Sequence, residues 1–168
     1  MTALVLDTET TGLDDPALVE AAWLEIPDVQ TLEIACRFSG LYNPGKPITP
    51  GAMAVHHIID ADVQFCPPPS EFRLPAGTAY LVGHNVDFDW KVLGSPAVKR
   101  IDTLCLARHI WPVDVDSYGL TALLYRFIGP VVRPKVFQAH RAAQDVENTL
   151  LLLDTMLPTI GGLAGPID

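Results

Sequence analysis

Two acidic side chains, Asp7 and Glu9, follow an apolar run near the start of the chain. Residues 3–6 are uninterrupted aliphatic residues, which is typical of a strand buried on both faces. Side chains two positions apart on a strand point to the same face, so the two carboxylates are expected to lie side by side. Like charges held that close repel unless one keeps a proton or a cation neutralises both. The pair therefore indicates either a cation site or two solvated acids in a turn.

A second acidic pair, Asp87 and Asp89, comes after the apolar run of residues 78–85, at the start of an expected helix. Acids in a first helical turn are stabilised by the helix dipole, so a capping role is the alternative to a site role. Because helix positions two apart do not face each other, we expect one aspartate to face the end of the sheet and the other to face water.

The third cluster is His140 and Asp145 in the sequence HRAAQD. Five residues correspond to roughly 140° of rotation on an ideal helix, so both side chains cannot share one helix face. They can address one site if His140 lies in the approach to the helix and Asp145 lies within it. The alternatives are a surface histidine and a solvated aspartate.

Together the clusters offer four carboxylates, from two strand ends and a helix, and one neutral base. Carboxylate oxygens are hard ligands that suit Mg²⁺ or Mn²⁺, and no cluster of cysteine and histidine indicates zinc. Two divalent ions about 3.5–4 Å apart suit in-line displacement at phosphorus. A histidine that titrates near neutrality can take the proton from the attacking water. The combination predicts metal-dependent phosphoryl chemistry.

The elements that must position these residues alternate between strands and helices. Strands are expected at residues 3–7, 18–26, 32–42, 78–85 and near 98–102, although the Glu and Ala content of 18–26 leaves a helix possible there. Helices are expected after caps at Thr49, Asp102 and Ser117, over residues 87–93, and from the third cluster to Pro158. This order predicts an α/β domain with a mixed sheet.

The length of 168 residues is that of one domain, and we expect a single domain over residues 1–158 and a short tail over 159–168. Three widely spaced cysteines argue against a disulfide framework and indicate a reducing, cytoplasmic setting. No membrane association is expected, since the apolar stretch at 149–157 is short and contains Asp154. No signal peptide is expected, because the six residues before Asp7 contain no Lys or Arg.

The net charge of −9 is unusual for a protein that binds nucleic acid, but the charge is unevenly distributed. Residues 1–36 contain eight acids and no Lys or Arg. Residues 117–144 contain four bases and no acid, namely Arg126, Arg133, Lys135 and Arg141. The distribution predicts a basic segment that recruits phosphate, and the alternative is a solvated surface of uneven composition.

The sequences DTETTGL, HNVDFD and HRAAQD resemble, in order and spacing, the three motifs of the DEDDh family of 3′→5′ exonucleases. The resemblance runs from residue 3 to about residue 153. Between the motifs, residues 46–58 and 101–112 look most like the exodeoxyribonuclease X group, although His57 and Ile59 depart from the usual pattern. The family's metal ligands fall on Asp7, Glu9, Asp89 and Asp145, and its general base falls on His140.

The resemblance implies a ribonuclease-H-like fold, with a central mixed five-stranded sheet flanked by helices. It implies two Mg²⁺ or Mn²⁺ ions per site and stepwise removal of 5′-mononucleotides from DNA 3′ ends, single-stranded ends preferred. Dimers known in the family make a homodimer compatible with it. The implied contacts to the terminal nucleotide are Thr8, Thr10, Gly12, Leu13, His56 and Phe88.

Other functions remain open from the sequence. An exoribonuclease would keep the same chemistry, because discrimination at a 2′-hydroxyl rests on local contacts. A non-catalytic acidic interaction module could keep the fold, but it would not need all five catalytic residues. A small-molecule phosphatase of the same metal type is a further alternative. Digestion of matched DNA and RNA with and without chelator separates these functions.

Overall fold

The computed structural model describes residues 2–113, 115–136 and 140–161, and its centre is a mixed sheet of five strands. The strands are β1 (Thr2–Thr10), β2 (Leu18–Ile26), β3 (Cys36–Leu41), β4 (Thr78–Gly83) and β5 (Lys99–Asp102), in the spatial order β3-β2-β1-β4-β5. The central strand β1 pairs antiparallel with β2 and parallel with β4. The outer pairs follow suit, β3 antiparallel to β2 and β5 parallel to β4. The predicted mixed sheet is confirmed.

Helices cover both faces of this sheet. In the part of the chain described they are α1 (Pro50–His56), α2 (Asp60–Val63), α3 (Val86–Val92), α4 (Thr103–Ile110), α5 (Leu120–Phe127), α6 (Arg133–Val136) and α7 (Ala142–Met156). Two short 3₁₀ turns, Pro69–Glu71 and Pro130–Val132, lie between them. None of the described helices is both long and apolar enough to cross a bilayer.

The alternating side chains of β1 divide between two apolar cores. Ala3 and Val5 pack with residues of α7, including Val146 and Leu153. Leu4 and Leu6 belong to the core that includes Val86 and Trp90 of α3. All four β1 residues are at most 1% exposed, so the strand is buried on both faces, as its apolar run predicts. The parity of a residue in β1 therefore decides whether it faces α7 or α3.

The acids of β1 lie inside the strand rather than after its end, which corrects the sequence-based boundary. The pairing of β1 with β4 spans Thr2 to Val5, but the pairing with β2 continues, with Asp7 opposite Ala22 and Glu9 opposite Glu20. The two carboxylates thus extend beyond the parallel part of the sheet while β2 still holds their backbone.

Three other expectations can be compared with the structure. Residues 18–26 form a strand, so the helical alternative for this segment is wrong. Thr49 and Asp102 cap α1 and α4 through their side chains, as predicted. Ser117 is not the cap of α5: the helix begins at Leu120, and the Ser117 hydroxyl instead accepts from the N–H of Gly119 at 3.2 Å within the preceding turn.

A cavity mutation in the core on the α7 side tests this packing. Val82 on β4 is fully buried, so Val82→Ala should lower the free energy of unfolding by about 2 kcal/mol, the transfer term of two methyl groups plus the cavity term. The matched change Val113→Ala, at a residue 70% exposed, should stay within about 0.5 kcal/mol of wild type. Urea unfolding of both variants provides the measurement, and equal losses would contradict the packing.

Candidate active site

Three carboxylates from β1 and α7 converge on one point. Oxygen atoms of Asp7, Glu9 and Asp145 all lie within 4.8 Å of one another. Asp7 and Glu9 have the same parity as Ala3 and Val5, so they face α7, and Asp145 lies in the first turn of that helix. Two segments about 140 residues apart in sequence thus meet because one strand and one helix pack face to face.

Burial and mutual repulsion make these groups hard to ionise. The pKa of Asp7 lies well above its ordinary value, first because the group is buried and then because Asp89, Asp145 and Glu9 repel its charge. Burial, followed by repulsion from Asp145 and Glu20, raises the pKa of Glu9 to about 8. The pKa of Asp145 is also raised, chiefly by burial.

This donor set fits a divalent cation. The three acids supply only carboxylate oxygens, which are the ligands that Mg²⁺ and Mn²⁺ prefer. A cation between them would remove the repulsion and stabilise the ionised form of each group. Asp7, Glu9 and Asp145 are therefore the residues that could hold a metal ion most directly.

Asp89 lies next to this group but on the α3 side of β1. Its Oδ1 accepts from the backbone N–H of Thr8 at 2.9 Å and from the Thr8 hydroxyl at 2.6 Å. Burial raises the pKa of Asp89 to about 7, although the Thr8 hydrogen bonds oppose the rise. Its oxygens are not part of the group of Asp7, Glu9 and Asp145 oxygens that lie within 4.8 Å of one another. Asp89 could therefore contact a cation only from the edge of this cluster.

The structure separates the two aspartates of the second motif as expected. Asp89 is 4% exposed and faces the end of the sheet, whereas Asp87 is exposed and forms an ion pair with Arg100 at 3.0 Å. Asn85, in the left-handed region at φ 73°, turns the chain from β4 into α3 and brings the first turn of this helix towards Thr8.

His140 lies in the approach to α7, as its spacing from Asp145 requires. It is exposed, and its backbone is in the left-handed region at φ 67°. Its N–H donates to Oδ2 of Asp145 at 2.9 Å. The backbone of His140 and the carboxylate of Asp145 are therefore linked directly, although the two residues do not share a helix face. The preceding residues 137–139 lie outside the described part of the chain.

A cavity of about 510 Å³ opens beside Glu9. All six residues expected to contact a terminal nucleotide line it: Thr8, Thr10, Gly12, Leu13, His56 and Phe88. Leu13 is 85% exposed, so it offers apolar surface at the rim. A Cβ at Gly12 would lie 3.0 Å from Oγ1 of Thr49, and Gly12 adopts φ 149°, so this position requires glycine.

His56 forms part of the cavity wall rather than a free polar contact. Its Nδ1 accepts from the N–H of Ile58 at 3.0 Å, so Nε2 is the nitrogen that donates to the carbonyl of Thr10, at 3.2 Å. The residue is 1% exposed, and burial lowers its pKa. Both ring nitrogens are therefore already used within the protein.

Sequence reasoning missed several residues of the site. Thr49, Gly51, Ala52 and Val55 also line the cavity, because α1 packs over its open side. Asn148, fully buried, donates through Nδ2 to Oδ1 of Asp145 at 3.3 Å. Its position three residues after Asp145 on one helix was a signal that could have identified it.

Sequence reasoning also missed Glu20, although an acid within an apolar strand segment is unusual and could have identified it. It is an acid within an otherwise buried strand, it is 2% exposed, and it accepts from Arg141. Arg141 is thus paired with Glu20, although its side chain is 46% exposed. The other three bases of the segment, Arg126, Arg133 and Lys135, are exposed as well. That the basic segment recruits phosphate stays a prediction.

Comparison with known proteins identifies the family of the chain and agrees with its fold. A family model described as exonuclease matches residues 4–153. Exodeoxyribonuclease 10 of Escherichia coli K12 is 35% identical over 162 residues, covering 95% of this chain and 70% of that protein. The DNA polymerase III subunit epsilon of Treponema pallidum (strain Nichols) is 30% identical over 168 residues, covering 90% and 74%.

A solved structure of exonuclease X in complex with 5′ overhanging duplex DNA is similar over almost its full length. It superposes with a TM-score of 0.75 at 32% identity, covering 96% of this chain and 95% of the other. Fold and site together define a nuclease with a ribonuclease-H-like architecture. The chain belongs to the exonuclease family, whose members depend on divalent metal ions, and its resemblance to the DEDDh group is confirmed.

The raised carboxyl pKa values predict how stability depends on pH in the absence of metal. An acid whose pKa is higher in the folded than in the unfolded chain stabilises the fold at low pH, and this contribution is lost as pH rises through the folded-state pKa. For Glu9 the window extends from its ordinary pKa of 4.5 to about 8. The melting temperature in EDTA should therefore fall between pH 4.5 and about pH 8.

Added Mg²⁺ should oppose this fall, because a cation binds the ionised carboxylates of the folded chain. Glu9→Gln should make the fall shallower, and Glu33→Gln, the same change at an exposed position, should leave it as in wild type. Differential scanning calorimetry in matched buffers measures all three slopes. A melting temperature that rises across the window would contradict the raised pKa values.

Proposed function

We propose that the chain is a metal-dependent 3′→5′ exodeoxyribonuclease that releases 5′-mononucleotides from single-stranded, frayed or overhanging DNA ends. The observation that carries the proposal is the convergence of Asp7, Glu9 and Asp145 beside the cavity lined by all six expected nucleotide contacts. A relative that carries exodeoxyribonuclease in its name, and another solved with overhanging duplex DNA, support DNA as the substrate.

The proposed cofactors are two Mg²⁺ or Mn²⁺ ions, held by Asp7, Glu9 and Asp145 with Asp89 at the edge of the cluster. When bound, such ions polarise the phosphoryl group and stabilise the charge that develops on it. Asp7 would help to hold the metal, because its charge interacts with those of Asp89, Asp145 and Glu9.

The protein side chains supply binding and proton transfer. Leu13 and Phe88 offer apolar surface to the terminal base, and the close backbone at Gly12 lets the sugar approach β1. His140 accepts a proton from the attacking water as the water oxygen bonds to phosphorus. The bond from phosphorus to the 3′ oxygen of the next nucleotide then breaks, and this oxygen takes a proton from solvent water, leaving a 3′-hydroxyl on the shortened strand. The hydrogen bond from His140 to Asp145 holds the base beside the cluster.

The remaining features of the proposal concern the setting of the enzyme. Residues 1–158 are proposed as one exonuclease domain, with 159–168 as a tail. The exposed bases Arg126, Arg133 and Lys135 are proposed to attract the phosphate backbone. The cysteines Cys36, Cys66 and Cys105 are free, which supports a reducing cytoplasm.

Digestion of 5′-labelled single-stranded DNA and RNA of equal sequence tests the function. With Mg²⁺ we expect a ladder of DNA products that shorten from the 3′ end, and with EDTA no shortening. Faster loss of RNA would favour the exoribonuclease alternative. No metal-dependent shortening of either would leave the non-catalytic module as the better description. Asp89→Ala should lower the DNA rate by more than about 100-fold, because it removes a carboxylate that borders the cluster.

The matched control is Asp87→Ala, two residues away on α3, which removes only an exposed ion pair with Arg100. Its rate should remain close to that of wild type. A large loss in Asp87→Ala and none in Asp89→Ala would show that the wrong aspartate is assigned.

His140→Ala separates the role of the base from that of the ligands. We expect kcat to fall by roughly 10²–10⁴-fold, the usual contribution of a general base. Mg²⁺ affinity, measured by isothermal titration calorimetry, should be retained, because the His140 link to Asp145 uses the backbone N–H that alanine keeps. His109→Ala, at an exposed helical position, is the control. A loss of Mg²⁺ binding with His140→Ala would contradict the assigned role.

A further inference from the structure

Glu20 is a buried acid that the proposed reaction does not use. It lies on β2 directly opposite Glu9 of β1, and it is 2% exposed. Like charges placed opposite each other on neighbouring strands destabilise a sheet. A buried carboxylate at this position therefore needs a compensating partner and a reason to be there.

Both oxygens of Glu20 are occupied by the start of α7. Oε1 accepts from Nη2 of Arg141 at 2.9 Å, and Oε2 accepts from Nε of Arg141 at 3.1 Å. Oε2 also accepts from the backbone N–H of Ala142, the first residue of the helix, at 3.0 Å. We call this set, Glu20 with Arg141 and the Ala142 N–H, the Glu20 clasp. It combines a bidentate ion pair with a hydrogen bond that caps the N-terminus of α7.

The Glu20 clasp supplies the N-terminal capping hydrogen bond that the N-cap side chain of α7 does not make. Arg141 is the N-cap residue, and its side chain makes no capping hydrogen bond within the helix. The first amides of a helix need acceptors, and an acid near the N-terminus also interacts favourably with the helix dipole. Glu20 meets both needs from a neighbouring strand, so the position of the first turn is tied to the sheet.

That first turn carries the third motif. The N–H of Asp145 donates to the carbonyl of Arg141 at 3.0 Å, and the N–H of His140 donates to Oδ2 of Asp145 at 2.9 Å. A shift of Arg141 relative to β2 would therefore move His140 and Asp145 relative to Glu9. The Glu20 clasp therefore links the part of the carboxylate cluster on β1, Asp7 and Glu9, to the part on α7, Asp145.

The clasp also keeps a positive charge from competing with metal. The guanidinium of Arg141 lies close enough to Glu9 for the two charges to attract each other. Paired with Glu20, Arg141 contributes little net charge, and the cluster keeps the excess of carboxylates that attracts cations. Without Glu20, Arg141 would be available to neutralise Glu9 in place of an ion.

We propose that Glu20, acting through Arg141 and the first amide of α7, is a positioning residue that holds Asp145 and His140 in register with Asp7 and Glu9. The inference deepens the proposed function, since the groups it positions are those assigned to that reaction. Glu20 itself is not a catalytic residue, because its oxygens contact Arg141 and Ala142 rather than the cavity.

Hydrogen–deuterium exchange of the full chain, without metal or nucleic acid, tests the positioning directly. Glu20→Gln and Arg141→Gln should each speed exchange in peptides covering residues 140–146. The control is Arg37→Gln, because Arg37 of β3 forms an ion pair with Glu147, another link between the sheet and α7. This control should leave the exchange of residues 140–146 as in wild type. Unchanged exchange in both test variants would overturn the proposal.

Kinetics with DNA supply the second readout. Glu20→Gln and Arg141→Gln should each lower kcat by about 10–100-fold, while KM for DNA stays close to wild type, since the cavity lining is untouched. The double variant should lose no more than the larger single loss, because both changes break one interaction. Fully additive losses would overturn the clasp as a unit. Arg141→Lys keeps the positive charge but cannot form the bidentate ion pair, so its kcat should lie between those of wild type and Arg141→Gln.

The two readouts distinguish the failure of this inference from that of the proposed function. If the wild-type chain cuts no nucleic acid, the exchange comparison still decides whether the Glu20 clasp positions the third motif. If Glu20→Gln does not fold, Arg141→Gln answers the same question, because the Arg141 side chain is 46% exposed and its loss leaves no cavity in the core.

Discussion

The structure depends on the strict alternation of side chains along β1. Odd-numbered residues from Ala3 to Glu9 face α7, and even-numbered residues from Leu4 to Thr8 face α3. A slip of one residue in this strand would exchange its apolar contacts and turn both acids away from Asp145. Because β1 is paired on both sides, its register is set by the same backbone hydrogen bonds that build the sheet. Folding and site assembly are therefore one event at this strand.

The cluster that results is unfavourable for the folded chain alone. Three acids are gathered where burial and repulsion oppose their ionisation, and they are held there by the cores on either side of β1. This stored repulsion is the physical basis of cation affinity, since a cation gains most where anions are already constrained. Two neighbouring acids are likewise held by backbone donors, Asp89 by the N–H of Thr8 and Glu20 by the N–H of Ala142.

Much of this arrangement can be predicted from the sequence, and the reasons for the rest are physical. The apolar run before Asp7 is enough to predict a buried strand whose two acids share one face. The spacing of His140 from Asp145 is enough to predict that His140 lies before the helix and Asp145 within it. Local pattern could not decide whether residues 18–26 are strand or helix, because Ala and Glu suit helices and only pairing with β1 and β3 makes the segment a strand. Ser117 suits a helix cap by residue type, but its hydroxyl stabilises the preceding turn. As a result α5 begins at Leu120, two residues later than a cap at Ser117 would place it. The partner of Glu20 lies 121 residues away, and no local pattern reveals such a contact.

The hydrogen bonds of His56 give the cavity a property that the carboxylates lack. Its two ring nitrogens fix a single tautomer between the carbonyl of Thr10 and the N–H of Ile58, and burial lowers the pKa of the ring, which disfavours its charged form. We expect this part of the cavity wall to keep its shape near pH 7 to 8, where Glu9 and Asp89 change their charge. Acid would therefore protonate the carboxylates while the two hydrogen bonds of His56 still hold the cavity wall.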